Sequence, residues 1–301
     1  MKKYILIVLL LTTTGSYAQE KVQLYRLKID DKGLLISKLQ IDSTISVLKK
    51  RLLNAGYKNS IVAYNYSNKE FMVESESVIE EEFMSNWLVK PCEVSFYETY
   101  TAIELLSVLL AYPNHDIDLD KKKAFYTLLN ISDSIINDRK ISNVGVIKIS
   151  DTTEFNKVKK DLKSYLPEDC LLAYEQNQTL LEKPALAIFA LRNNTWKLPL
   201  QDMLDSIKMI VDWRGEPAIS IHFNKTGTKK FAAITQKNIN KAIAIVVDGL
   251  VYSAPFVNGE IEGGHAEIVG SFKAMEVKQL ANMLSGGYLP IKLTLIKQAT
   301  K

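Results

Sequence analysis

Cysteine, histidine and long apolar runs are all scarce in this 301-residue chain, and each scarcity removes a class of function. The two cysteines, Cys92 and Cys170, stand too far apart for a Cys-x-x-Cys redox or zinc motif. In an oxidising compartment they can pair or remain lone thiols, and the sequence leaves both open. The three histidines, His115, His222 and His265, include no pair four residues apart, so there is no His-Glu-x-x-His metalloprotease site, and no Gly-x-Ser-x-Gly nucleophile elbow occurs. His222 falls on the opposite strand face from Ile221 and reads as a half-exposed sheet residue, while His265 follows a two-glycine turn and reads as exposed. Gly259, Gly263 and Gly264 lack the Lys-Ser/Thr step and the strand-to-helix setting of a phosphate loop, and read as turn glycines. Asp116, Asp118 and Asp120 alternate like a calcium loop, but Lys121 stands where the loop needs Gly and Thr127 where it needs Glu. The sequence therefore offers no catalytic group, no metal ligand set and no cofactor site, and a non-enzymatic protein is expected.

Charge is also unremarkable in sign. The formal net charge is +4, falling to +2 without Lys2 and Lys3, and acidic and basic residues are interspersed, so no nucleic-acid footprint is present. Those two lysines precede an apolar stretch, Tyr4 to Leu11, and a polar run ending Ser16-Tyr17-Ala18. This is the pattern of a secretory signal cut after Ala18, with small residues, Ser16 and Ala18, at the −3 and −1 positions of the cut. No cysteine follows the cut, so a lipoprotein anchor is not expected. Beyond it the longest apolar candidate, Thr101 to Tyr112, is interrupted by Glu104 and falls short of the roughly 20 residues a membrane helix needs. The expectation is a periplasmic, soluble mature chain with no integral membrane segment, long enough for two domains.

The apolar periods predict an α+β fold. Val22 to Ile29 reads as a strand. A helix follows, capped by Asp42, with Ile45, Leu48 and Leu52 on one face and Gly56 as its left-handed stop. Ile61 to Tyr66 and Lys69 to Glu74 read as two strands, Ile79, Phe83 and Trp87 mark a second helix, and Val94 to Tyr97 closes the unit as a strand. That order predicts a ferredoxin-like subdomain over residues 19–104. Residues 105–140 read as a helical connector and 141–199 as a further α+β unit. In 200–301, Met203 to Val211 reads as helical, Ala218 to Phe223 as a strand, Lys229 to Asn238 as a helix, and Ala242 to Val247 as a buried strand. Asp248-Gly249 is a strong type I′ hairpin signal. Gly263-Gly264 makes the next turn, Ala266 to Val269 returns as a strand, and a last helix carrying Val277, Leu280, Ala281 and Leu284 ends near Gly286, with Pro290 forbidding its continuation. The prediction for this part is an antiparallel, hairpin-rich sheet backed by helices.

The stretch Ala242 to Pro255 (AIAIVVDGLVYSAP), then Ile261 to Gly264, Ile268 to Gly270, Phe272, Leu280 to Gly286 and Leu289-Pro290, resembles the head of the first periplasmic domain of the SecD protein-export factor. Its wording looks closest to the fused SecDF form of Bacteroidetes-like bacteria. Phe231, Thr235 and Asn238 are similar to the family's Phe-Ala-x-x-Thr-x-x-Asn helix, and Leu48 to Gly56 with Arg51, followed by Phe71 to Glu74, looks like the base of the same region. The resemblance implies a structural motif made of Asp248, Gly249, Gly263, Gly264, Gly270, Gly286 and Pro290. Lys273 departs from the family's Ser or Thr at the last helix's cap, a loss worth about 1 kcal/mol. Family members are thought to couple proton flow through membrane helices to movement of the head. With a signal in place of the first such helix, that coupling is not expected here.

Two readings follow. In the first, Val251, Tyr252, Pro255 and Phe256 form an apolar rim that binds exported or unfolded polypeptide, by edge addition or side-chain pockets, or docks on Sec export components. In the second, the chain is a structural component of an unrelated envelope complex.

Overall fold

A computed structural model describes residues 22–30, 35–111, 127–130, 135, 141–161, 163, 166–176, 185–198, 200–270 and 272–296. The expected signal, His115 and the aspartates at 116, 118 and 120 lie outside the described residues, as does most of the expected connector.

The base is a four-stranded antiparallel sheet with helices on one face. β1 (Gln23–Ile29), β2 (Ile61–Asn65) and β3 (Glu70–Ser75) pair in the order β1-β3-β2. Leu27, Phe71 and Val73 alternate onto the covered face, where they meet Leu48 and Leu52 of α1 (Lys38–Ala55). Phe83 of α2 (Glu81–Phe83) and Met84 and Leu88 of the π-helical turn that continues it complete this core. The helix α1 begins earlier than Asp42. Its cap is Ser37, whose hydroxyl accepts from Gln40 N at 3.2 Å while Gln40 Oε1 accepts from Ser37 N at 3.0 Å, a reciprocal box that outcompetes a lone aspartate. Gly56 ends the helix at φ 103°, as expected.

The fourth strand of the base is not Val94 to Tyr97. That place is taken by β13 (Leu293–Ile296), which pairs antiparallel with β1 so that Leu27 faces Leu295. The segment expected there, β4 (Val94–Thr99), is buried on both faces and belongs to a second sheet. An edge strand with one wet face does not suit a run carrying Val94, Phe96 and Tyr97, whereas a central strand does.

The second sheet runs β11-β10-β4-β7-β5, with β6 also on β7. Its strands are β5 (Gly145–Lys148), β6 (Cys170–Tyr174), β7 (Ala185–Leu198), β10 (Ile243–Val247) and β11 (Leu250–Ser253). The sheet curls until β6 meets β11: Glu175 bridges Val251, and Gln176 N donates to Val251 O at 2.8 Å. The enclosed space is filled by Tyr97, Phe189, Leu191, Val246 and Val251, with Ala173, Ala187 and Ala244 as the small residues that let the strands close. On its flank, α3 (Ala102–Ala111) and α4 (Thr152–Asp161) pack Leu105 and Phe155 against β5 and β6.

The head is a three-stranded sheet, β12-β9-β8, covered by α6 (Lys225–Lys237) and α7 (Ala274–Gly286). It contains β9 (Pro217–Phe223) and β12 (His265–Ile268). Met203 to Val211 is not a helix. Only α5 (Leu200–Met203) is helical, and β8 (Leu204–Val211) pairs with β9 along its length. The apolar residues Leu204, Ile207, Met209 and Val211 fit both periods, and the long-range pairing that sets Ile207 opposite Ile221 decides. The inner face of the head, with Ile219, Ile221 and Ile268, packs on Phe96, Ile243 and Ile245 of β4 and β10. Those two strands thus bury one face in the curled sheet and the other in the head, which is why every residue of β10 is buried.

Candidate functional site

Base, curled sheet and head meet at one buried cation. Arg51 of α1 is 1% exposed and donates to the carbonyls of Leu88 at 2.7 Å and Lys90 at 2.5 Å, where the base's second helix ends, and of Gly287 at 2.7 Å, just beyond α7. Each helix C-terminus has carbonyls with no helical partner, and the guanidinium fork supplies donors to both. Gly286 is required by the same contact: a Cβ there would lie 2.3 Å from Arg51 Cγ. Burial lowers the pKa of Arg51, and Asp248 opposes that shift.

Asp248 is the expected hairpin residue and does more than turn the chain. It sits at φ 51° with Gly249 at φ 83°, the two left-handed positions of a type I′ turn. Its carboxylate accepts from Cys92 N at 3.0 Å and Glu93 N at 2.8 Å, holding Cys92 at φ 65° where β4 begins. Cys92 is fully buried, and burial pushes its thiol up to about 12. Both cysteines are free.

Of the other motif residues, Gly264 has a clear geometric role. Gly264 lies at φ 66°, and a Cβ there would meet Thr228 Oγ1 at 2.1 Å, so only glycine fits this turn. Gly263 precedes it, and Gly270 follows β12. Thr235 is buried; its hydroxyl donates to Phe231 O at 2.9 Å and accepts from Ile261 N at 3.0 Å, pinning the 255–261 segment to α6. Asn238 Nδ2 donates to Ile234 O at 2.8 Å. At Lys273 the missing Ser or Thr leaves only half a capping box, in which Glu276 Oε2 accepts from Lys273 N at 2.9 Å. After α7 the chain turns at Gly287, φ 93°, and Leu289 N donates to Pro91 O at 2.8 Å before Pro290 leads into the return to the base.

The expected rim divides. Val251 is fully buried inside the curled sheet and cannot touch a partner, because it is the residue on which β6 closes. The same closure occupies the outer edge of β11, so a strand cannot add there. Tyr252 is half-buried, stacks on Phe272 with centroids 6.3 Å apart, and lines a cleft with Trp87 and Glu276. Its phenol is pushed up by burial first and by Asp248, Cys92 and Glu276 after it. Pro255 and Phe256 face another way, into a groove of about 550 Å³. The groove's floor comes from Phe231, Ile243 and Ile261, and one wall is the edge strand β12, through His265, Ala266 and Glu267.

At the mouth of that groove stands a residue the sequence reading passed over. Trp213 is 90% exposed at the tip of the β8–β9 hairpin. The turn that carries it is rigid: the nearly buried Asp212 carboxylate accepts from Arg214 N at 2.8 Å, Arg214 Nη2 at 2.7 Å and Glu216 N at 3.0 Å. Met209 and Val211, 48% and 69% exposed, continue the apolar row behind it. The available signal was Asp212-Trp213-Arg214-Gly215, a turn set between two alternating runs with an aromatic at its tip. His222 and His265 are cross-strand neighbours with ring centroids 6.4 Å apart. Among the described residues no group of three His, Cys, Asp or Glu side chains gathers to hold a metal.

Against known proteins, residues 200–291 match the SecDF P1 head subdomain. A protein translocase subunit SecD from Acidaminococcus fermentans is 40% identical over 126 residues, covering 42% of this chain and 30% of that one. The translocase subunit SecDF of Thermus thermophilus is 37% identical over 125 residues, covering 39% of this chain and 17% of the relative. The chain therefore spans less than a third of the length of these curated relatives. A solved structure of SecDF, described as a membrane component that enhances protein export, aligns over 93% of this chain and 100% of that one, with TM-score 0.54 and 19% identity. The mixed α+β architecture of this chain is thus the fold of that SecDF structure. Among the described residues no helix is long and apolar enough to cross a membrane.

Proposed function

We propose that this chain, a relative of SecD and SecDF that carries a match to the P1 head subdomain at residues 200–291, is a periplasmic, non-enzymatic binding module that engages exported or unfolded polypeptide at its head. The observation that carries this reading is the apolar groove bounded by Phe256 and Ile261, with Trp213 held exposed at its mouth by a rigid turn. Holding an indole in water wastes apolar area that folding would otherwise bury, and such exposed patches on an ordered scaffold mark interaction surfaces. The relatives' printed role in protein translocation supports the same direction and makes Sec components the natural neighbours.

The test is binding of a permanently unfolded, carboxymethylated protein, followed by fluorescence anisotropy. Trp213→Ala and Phe256→Ala are expected to weaken binding several-fold, and Trp213→Ala to leave the melting temperature unchanged because its side chain buries almost nothing. Absence of binding by the parent chain, or binding indifferent to Trp213→Ala, would overturn the reading.

A further inference from the structure

The groove wall formed by β12 has one property that a merely apolar cleft lacks. Among the described residues β12 is the last strand of its sheet and pairs with β9 alone. The register sets His265 opposite His222, Ala266 opposite Ile221 and Glu267 opposite Ser220. Phe223 N donates to Gly264 O at 2.8 Å, one step before this series, which makes Gly264 and Phe223 a hydrogen-bonded pair. Bonded pairs alternate in an antiparallel ladder, so Ala266 and Ile268 spend their backbone groups on β9, while the N–H and C=O of His265 and Glu267 point away from it. Both residues also line the groove. Across it, the 255–261 segment is satisfied elsewhere: Val257 N donates to Lys241 O at 2.9 Å, and Ile261 N to Thr235 at 3.0 Å.

The charges at this edge are of one sign. Glu260 and Glu267 line the groove, Glu262 is exposed in the turn beside it, and no Lys or Arg is among the described residues that line it. A second copy of β12 would bring a second set of these carboxylates, and an anionic lipid surface would meet the same repulsion.

We infer that the open edge of β12 binds an extended, basic-apolar polypeptide segment as an added strand, its main chain pairing with His265 and Glu267, its apolar side chains resting on Phe256 and Trp213, and its Lys or Arg residues facing Glu260 and Glu267. This rests on the polypeptide-binding reading above and specifies how and with what sequence preference the groove binds.

The probe is a short synthetic peptide that alternates Val or Leu with Lys and Thr, titrated against the full chain by isothermal titration calorimetry. A copy N-methylated at every second residue loses its main-chain donors on one edge, and one of the two possible methylation phases is expected to weaken binding on the order of tenfold while the other does not. Replacing the peptide's Lys with Glu is expected to abolish binding. On the protein, Glu267→Pro removes an outward N–H without touching a β9 bond, as an edge position tolerates; Glu267→Ala removes the same charge and keeps the donor. Glu267→Pro is expected to lose at least about tenfold more affinity than Glu267→Ala. If Glu267→Pro does not fold, the methylated peptides still decide. Binding that depends on Trp213 but ignores both methylation phases would overturn strand addition and leave the groove reading standing. No binding of the parent peptide, capture by anionic vesicles alone, or self-association through β12 would overturn the inference outright.

Discussion

Replacing Arg51 with alanine should separate the base from the head. The guanidinium donates to the Leu88, Lys90 and Gly287 carbonyls at 2.5–2.7 Å and more weakly to Trp87 O at 3.2 Å and Pro91 O at 3.4 Å. Hydrogen bonds to a charged donor contribute about 1.5–3 kcal/mol each, but the cost of burying the cation offsets part of their sum. Removing the arginine leaves neutral carbonyls of the Leu88, Lys90 and Gly287 backbone without that partner, each at about 1–3 kcal/mol, so after the offset the net loss is about 3–5 kcal/mol. For a chain of this size that corresponds to a melting temperature lower by on the order of 10 °C. Urea unfolding followed by tryptophan fluorescence measures it, and a second, shallower transition would report that base and head no longer unfold together. The contact with Gly286 supplies an internal control. Gly286→Ala places a Cβ 2.3 Å from Arg51 Cγ, an overlap costing about 1–3 kcal/mol, and that cost should largely vanish in the Arg51→Ala background. The reasoning is refuted if Arg51→Ala costs less than about 1 kcal/mol, or if Gly286→Ala is equally harmful with and without the arginine.

Asp248→Ala should destabilise by about 2–3 kcal/mol, since it strips two backbone donors and the left-handed turn of their partner, and Asp248→Asn by less, as it keeps one acceptor and tolerates positive φ; thermal melts distinguish the three proteins. Cys92 should not react with a disulfide reagent at pH 8 until the protein unfolds. Because its folded pKa is raised to about 12, the stability it contributes is present below the ordinary thiol value of about 8.5 and is lost as pH climbs through this range, so urea midpoints should fall above pH 9 and fall less steeply in Cys92→Ala. Thr235→Val keeps the shape and removes the acceptor of Ile261 N, so it should cost about 1–3 kcal/mol and speed hydrogen exchange at Ile261.

The local features of the head were legible because they are set by neighbours in sequence. The Asp248-Gly249 turn, the α7 face with Val277, Leu280, Ala281 and Leu284, and the uniformly apolar β10 each follow from a residue's own conformational limits or from one period. Apart from the α1 cap, which lies at Ser37 and not at Asp42, the errors concern partners far along the chain. Nothing near Val94 says that its strand joins Val247 and Leu198 and not Gln23–Ile29, and nothing near Leu293 says that it completes the base. Met203 to Val211 carries an apolar pattern that two periods share, and pairing with β9 chose between them. Of the expected rim, Pro255 and Phe256 line the groove, whereas the burial of Val251 depends on Glu175 reaching it from 76 residues away in sequence. Trp213 was missed although its turn was legible, because nothing near it in sequence says that no other element packs over the indole.

The return of Leu293–Ile296 to pair with β1 has a temporal consequence. β1 is completed by β13, a strand far later in the sequence, so a growing chain carries an unfinished base, with one edge of β1 bare, until Leu293–Ile296 has been delivered. The curled sheet and head, whose pairings lie between those ends, can gain order while the base waits, and the Arg51 clasp can form only after Gly287 has arrived. A protein emerging start-first through a narrow pore would thus lock its two halves together in one late step.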